Sequence, residues 1–190
     1  GGQRVPLLPN VDPEDDVDNP YWTAHKNPVT DDVHRFIGSG YVTMQPTEWL
    51  SATYRAGLDH YNTFSRNILT PGSAVAPPYD EGQVTESQRE NNILTSNLTV
   101  SANKKVDDFD LGLMLGHNYE QSTYFSQRQS AIGLLSDFMS VNNADRENQT
   151  FSNYQSKKRL YSAYGEFSAS YKNMLFLSVT GRNDCSSTLA

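Results

Sequence analysis

The sequence predicts an all-β chain, a set of antiparallel strands paired in three hairpins and drawn from the wall of a transmembrane β-barrel. Three observations predict it. Six stretches alternate apolar and polar residues, so each strand has an oily side and a wet side. None of the six oily sides carries a formal charge, whereas the opposite sides are rich in Ser, Thr, Asn and Gly, as a wet lumen requires. The connections run short, long, short, long, short, the pattern of outer-membrane barrels with brief periplasmic turns and longer extracellular loops.

The first hairpin spans residues 36–61. Phe36, Val42 and Met44 share a side with Gly38 and Gly40, and after a turn at Gln45-Pro46-Thr47-Glu48 the set continues with Leu50, Ala52, Tyr54, Ala56 and Leu58. Its strands are about 9–11 residues long, the length a tilted strand needs to cross a bilayer. A long connection, residues 65–90, carries Pro71-Gly72 and Pro77-Pro78. The second hairpin follows. Leu94, Leu98, Val100 and Ala102 share one side, residues 104–108 turn, and Phe109, Leu111, Leu113, Leu115 and Tyr119 alternate on the return. A second long connection, residues 122–158, is expected to hold a short amphipathic helix over residues 130–140, with Ile132, Leu134, Leu135, Phe138 and Met139, and then a mobile polar stretch, residues 142–153. The third hairpin alternates Tyr161, Ala163, Phe167, Ala169 and Tyr171, turns at Lys172-Asn173, and returns with Leu175, Leu177 and Val179. Connection length sets the orientation: Pro46, Lys105 and Asn173 inside, Pro71 and Met139 outside. Phe36, Tyr119 and Tyr161 at one level, and Phe109 and Tyr171 at the other, are candidates for two interfacial aromatic girdles.

Mean hydropathy is −0.64 and 36% of the residues are apolar, which excludes a helical membrane span but not a barrel, whose strands are oily only at every second position. The net charge of −7 argues against nucleic acid, since phosphate binding needs a basic surface. One cysteine, Cys185, excludes an internal disulfide. No signal peptide is read at the start, and the whole reads as an internal fragment. Residues 1–33 are expected to be an extracellular loop region, irregular because Pro6, Pro9, Pro13, Pro20 and Pro28 interrupt regular structure. The acidic run Asp12, Glu14, Asp15, Asp16 and Asp18 lacks the glycine and distal glutamate of a calcium loop and reads as a solvated acidic loop, with calcium as the alternative.

Specific residues then resemble a family. Asn19-Pro20-Tyr21-Trp22, Arg35-Phe36-Ile37-Gly38, and Pro46-Thr47-Glu48-Trp49-Leu50 with Tyr54-Arg55 and Gly57-Leu58-Asp59 resemble the barrel of SusC/RagA-type TonB-dependent transporters. So do Tyr164-Gly165, Tyr171-Lys172, the Leu175, Leu177, Val179 strand, and Arg182-Asn183-Asp184-Cys185-Ser186-Ser187. The family commonly has Arg-Arg-Asp-Gly-Ser-Ser there; Asn183 and Cys185 depart from it. The resemblance implies that residues 34–190 are part of a plugged barrel of about 22 strands, with the plug itself absent. It implies an outer-membrane importer of oligosaccharides or peptides, a SusD-like surface lipoprotein as partner, and energy from the TonB complex through the plug region.

No catalytic, cofactor or metal constellation is read. His25, His34, His60 and His117 are scattered, no Gly-x-Ser-x-Gly occurs, and the chain is expected not to be an enzyme. His117 falls on the oily parity near a strand end, where an interfacial place fits. Arg55, Asp59, Glu120, Glu166 and Arg182 face the lumen in this reading, tuning the passage or pairing with the plug. Tyr21, Trp22, Tyr79 and Phe138 are the candidates for contact with cargo or the capping lipoprotein; alternatively Tyr21 and Trp22 pin their loop against the strand ends. The competing architecture is a soluble β-sandwich, a carbohydrate-binding or adhesin module, whose strands also alternate.

Overall fold

The computed structural model describes Asp18 and residues 20–188. Among the described residues one short helix, α1 (Pro20–Lys26), precedes six strands: β1 (Val29–Thr47), β2 (Leu50–Leu69), β3 (Gln83–Val106), β4 (Phe109–Ile132), β5 (Gln149–Tyr171) and β6 (Leu175–Ser186). They form one sheet in the order β1-β2-β3-β4-β5-β6, each strand beside its sequence neighbour, as three successive hairpins demand. In the β5–β6 pair Phe167 faces Val179, Ala169 faces Leu177 and Tyr171 faces Leu175, so the oily parities of both strands share a side.

The turns follow from their residues. Glu48-Trp49 and Asp107-Asp108 are two-residue turns, and residues 172–174 close the third hairpin. Asp107, Lys172 and Asn173 hold positive φ of 52°, 49° and 56°, the left-handed backbone a tight hairpin needs and that Asp and Asn tolerate best. Pro46 is the next-to-last residue of β1 rather than part of the turn.

The strands are longer than the expected 9–11 residues: β3 and β4 have 24 each. The long connections shrink accordingly, to residues 70–82 and 133–148. Residues 62–69, 83–93, 120–132 and 149–160 carry polar groups on both sides, so they give no alternation signal, yet the backbone ladder continues through them. The expected helix over residues 130–140 is absent. β4 runs on to Ile132, Gly133 breaks it at φ +70°, and Leu134 bridges to Ala144 in antiparallel fashion. The expected mobile stretch is also corrected: Asn143 Nδ2 donates to the carbonyls of Ser136 (2.8 Å) and Phe138 (2.7 Å), and residues 149–153 belong to β5. Near the other end, the stretch expected to be irregular folds as α1 with Pro20 at its first position, and β1 starts at Val29. The acidic residues Asp12, Glu14, Asp15 and Asp16 lie outside the described residues.

Contacts divide the chain into two compact units. A loop unit comprises Gly1–His34, Asn62–Glu90 and Phe125–Gln155; a band unit comprises Arg35–Tyr61, Asn91–Tyr124 and Ser156–Ala190. The buried apolar residues Val84, Ala131 and Ala144 all belong to the loop unit.

Candidate functional site

In the band unit one side of the sheet is oily and open. Leu98 is 41% exposed, Leu115 54% and Leu177 57%, and Tyr54, Leu58, Leu94, Leu111, Leu113, Phe167 and Val179 are exposed beside them. Two aromatic pairs stand on this side. Phe109 and Tyr171 meet with ring centroids 4.8 Å apart, and Tyr119 and Tyr161 with centroids 4.9 Å apart. These are the partners expected for the two girdles. His117, on the same parity, is two residues from Tyr119; β4 continues to Ile132, so it stands at the level of that aromatic pair and not at a strand end.

The opposite side of the band unit is polar, and Arg55, Asp59, Glu120, Glu166 and Arg182 lie on its parity. Asp59 forms a bidentate pair with Arg35, with Oδ2 2.8 Å from a terminal nitrogen and Oδ1 3.1 Å from Nε. Arg55 stacks over Tyr41, 5.8 Å from the ring centroid. Glu166 accepts from Ser178 at 3.5 Å and borders an open hollow of about 600 Å³ with Lys105, Asp110, Ser168 and Ser178. Arg182 pairs with Asp184 at 2.9 Å, donates to buried Ser162 at 3.2 Å, and lies over the Tyr164 ring at 5.7 Å.

Tyr164 is the residue that sequence reasoning missed. Its hydroxyl accepts from Asn97 Nδ2 at 3.0 Å and lies 3.4 Å from Thr99 Oγ1. It reaches them across Gly116, where a Cβ would sit 2.1 Å from the ring. Gly112 serves Ser168 in the same way, with a Cβ position 2.4 Å from its hydroxyl. The available signal was that pair of glycines, four residues apart on the polar parity of β4: each clears ground for a side chain from the next strand.

In the loop unit, α1 carries Tyr21 and Trp22 in different roles. Tyr21 is 77% exposed, whereas Trp22 is turned inward, its Nε1 donating to Ser73 Oγ at 3.1 Å. Ser73 is fully buried; it also accepts from Asn27 Nδ2 at 3.0 Å and donates to the Thr70 carbonyl at 2.9 Å. Asn27 Oδ1 accepts from the Thr70 N–H at 2.8 Å, and Asp18 from the Ala74 N–H at 2.8 Å. Trp22 therefore pins α1 to residues 70–74. Tyr79 stands on a single 3-10 turn, Tyr79–Glu81, and Phe138 is 71% exposed at the tip of residues 133–148. Arg66 braces that connection, bonding to the Met139 carbonyl and pairing with Glu86 at 3.2 Å. The four expected contact residues thus belong to one unit, with Tyr21, Tyr79 and Phe138 exposed and Trp22 taken up by packing.

No protein-family model and no curated protein matches the chain. Solved structures do. A chain of the RagAB peptide transporter superposes with a TM-score of 0.78 at 20% identity, covering 91% of this chain and 20% of that one. Chains of the RagAB peptide importer give 0.74 at 20% identity in a closed-closed state and 0.76 at 21% in an open-open state, each covering 90% of this chain and 19% of that one. The chain spans about a fifth of the length of these solved chains, and what it shares with that fifth is its fold.

Proposed function

We propose that the chain is a piece of barrel wall from an outer-membrane importer of the SusC/RagA, TonB-dependent type, and that it binds and passes cargo without catalysing a reaction. The observation that carries the reading is the oily band. Phe109 and Tyr119 are ten residues apart, about 33 Å along a strand. At a tilt of 35–45° that is a height of about 25 Å, the apolar thickness of an outer-membrane barrel. No Asp, Glu, Lys or Arg lies on the oily parity between those two levels in β4 and β5. The sandwich reading needs a second sheet over this side; the described residues form one sheet, and the side is exposed.

The solved neighbours transport peptides, which favours peptide over oligosaccharide as cargo, and the family resemblance adds a surface lipoprotein of the SusD kind as the cap. Residues 70–82 and 133–148 then face outward, with Tyr21, Tyr79 and Phe138 as contact groups, while Arg55, Asp59, Glu120, Glu166 and Arg182 line the passage or meet a plug. The test is extraction and uptake with the intact protein. It should need detergent for extraction, migrate differently with and without heating, and support uptake of oligopeptides that Tyr21→Ala with Phe138→Ala weakens. Recovery in the aqueous fraction after lysis overturns the membrane reading, and unchanged peptide uptake after deletion of the gene overturns the importer reading.

A further inference from the structure

Side chains two apart on a strand share a side, so Lys157, Arg159 and Tyr161 of β5 stand in a row. The contacts agree. Tyr161 packs on Tyr119, the Tyr119 hydroxyl donates to Gln121 Oε1 at 3.0 Å, and the same oxygen accepts from Arg159 Nε at 3.3 Å. The sequence of groups, moving away from the Phe109–Tyr171 pair, is oily band, two phenols, one amide, one guanidinium and one ammonium. Lys157 and Arg159 are both exposed. Neither makes an ion pair among the described residues, which is equally true of Arg128 and Lys158, so what marks these two is their place in line just beyond the phenols.

We propose that Lys157 and Arg159 bind the phosphomonoester of an anionic lipid headgroup at the edge of the oily band. The inference rests on the membrane reading above. Tyrosine rings settle at the headgroup level, and long basic side chains just beyond them extend their charge into it. Gln121 is neutral, so it fixes the plane of the guanidinium through Nε without neutralising it. The terminal nitrogens remain to meet a phosphate side-on, the arrangement for which arginine is suited, and the lysine two residues on adds a point charge. A carboxylate in place of Gln121 would have consumed the same cation internally.

Native mass spectrometry of the intact protein, purified in detergent and titrated with phosphatidic acid or zwitterionic phosphatidylcholine, tests this. The parent should retain phosphatidic acid preferentially. Each cation removed should weaken that retention about fivefold, so the pair K157Q and R159Q weakens it ~25-fold while phosphatidylcholine retention is unchanged. The charge-preserving pair K157R and R159K should keep a preference over phosphatidylcholine with weaker retention than the parent, since a lysine at 159 has no Nε for Gln121 to hold, and its retention above that of the glutamine pair separates loss of charge from loss of fold. Equal phosphatidic acid retention by the glutamine pair and the parent overturns the site. Full competition by inorganic phosphate at equal concentration also overturns it, because the ligand is then a free anion and not a lipid. A protein that stays in the aqueous fraction defeats the membrane reading and this inference together; one that needs detergent but shows no phosphatidic acid preference defeats this inference alone.

Discussion

The band unit and the loop unit solve different physical problems with the same kind of strand. In the band unit each strand sorts its side chains by face: Leu111, Leu113 and Leu115 on one side, Asp110, Gly112 and Gly116 on the other. In the loop unit the strands are polar on both sides, and specific hydrogen bonds replace the sorting. Thr85 meets Ser130 at 2.9 Å, Gln129 donates to Glu86 at 2.7 Å, and Glu86 pairs with Arg66. The buried apolar groups among the described residues, Val84, Ala131 and Ala144, belong to the same unit: Val84 and Ala131 neighbour Thr85 and Ser130 in sequence, and Ala144 bridges to Leu134. The band unit depends on its surroundings to accept an exposed oily side, whereas the loop unit carries its own small interior and its own partners.

A charge on the oily side of the band unit has the largest expected effect. On the barrel-wall proposal, Leu113→Arg should cost about 2–4 kcal/mol once the protein is inserted in a bilayer. Ser178→Arg, on the other side of the band unit beside Glu166, should stay within about 0.5 kcal/mol. Unfolding titrations in lipid vesicles check both, and equal costs would remove the distinction between the two sides. In the loop unit the corresponding blow is Ser73→Ala, which strands the Trp22 and Asn27 donors and should cost about 1–3 kcal/mol. Faster amide exchange confined to residues 70–75 and α1 is its expected signature. Gly116→Ala drives a methyl group into the Tyr164 ring and should cost about 1–3 kcal/mol through that clash, with Asn97 and Thr99 losing their partner. Adding Tyr164→Ala should relieve most of it, and a double-mutant cycle measures the relief. The smallest expected effect is the Tyr119–Tyr161 coupling, about 0.5–1.5 kcal/mol, measured by another cycle in vesicles.

The same contrast explains what was legible in the sequence. Alternation is written wherever one side of a strand must avoid charge, so the six strands, their order, the three tight hairpins and the two aromatic pairs could be read directly. It is not written where both sides are wet. Residues 83–90 and 149–158 therefore read as loop, although they belong to β3 and β5. The amphipathic pattern around Ile132, Leu134, Leu135 and Phe138 suggested a helix, but Gly133 and the Asn143 side chain hold that stretch as a folded connection. Among the candidate residues, the parity of Arg55, Asp59, Glu120, Glu166 and Arg182 was legible because it follows from counting by two. Their partners were not, since Arg35 with Asp59, Tyr41 with Arg55, and Ser162 and Tyr164 with Arg182 meet across strands whose register no local pattern encodes. The exposure of Tyr21 and the capture of Trp22 likewise depend on Ser73, 51 residues further along.

Gly82 and Gly133 join the two long connections at their bases. The Gly133 N–H bonds to the Gly82 carbonyl at 2.9 Å and the Leu134 N–H to the Glu81 carbonyl at 3.0 Å. Gly82 holds φ +95° and lies so close to Pro71 that a Cβ would sit 2.8 Å from the proline ring, so no other residue fits there without displacement. Fastened in this way, the connections behave less like two independent flaps than like one hinged plate. A load on either connection is shared with the other through these two bonds, and the Phe138 tip is itself tied down by Asn143 and by Arg66 at the Met139 carbonyl.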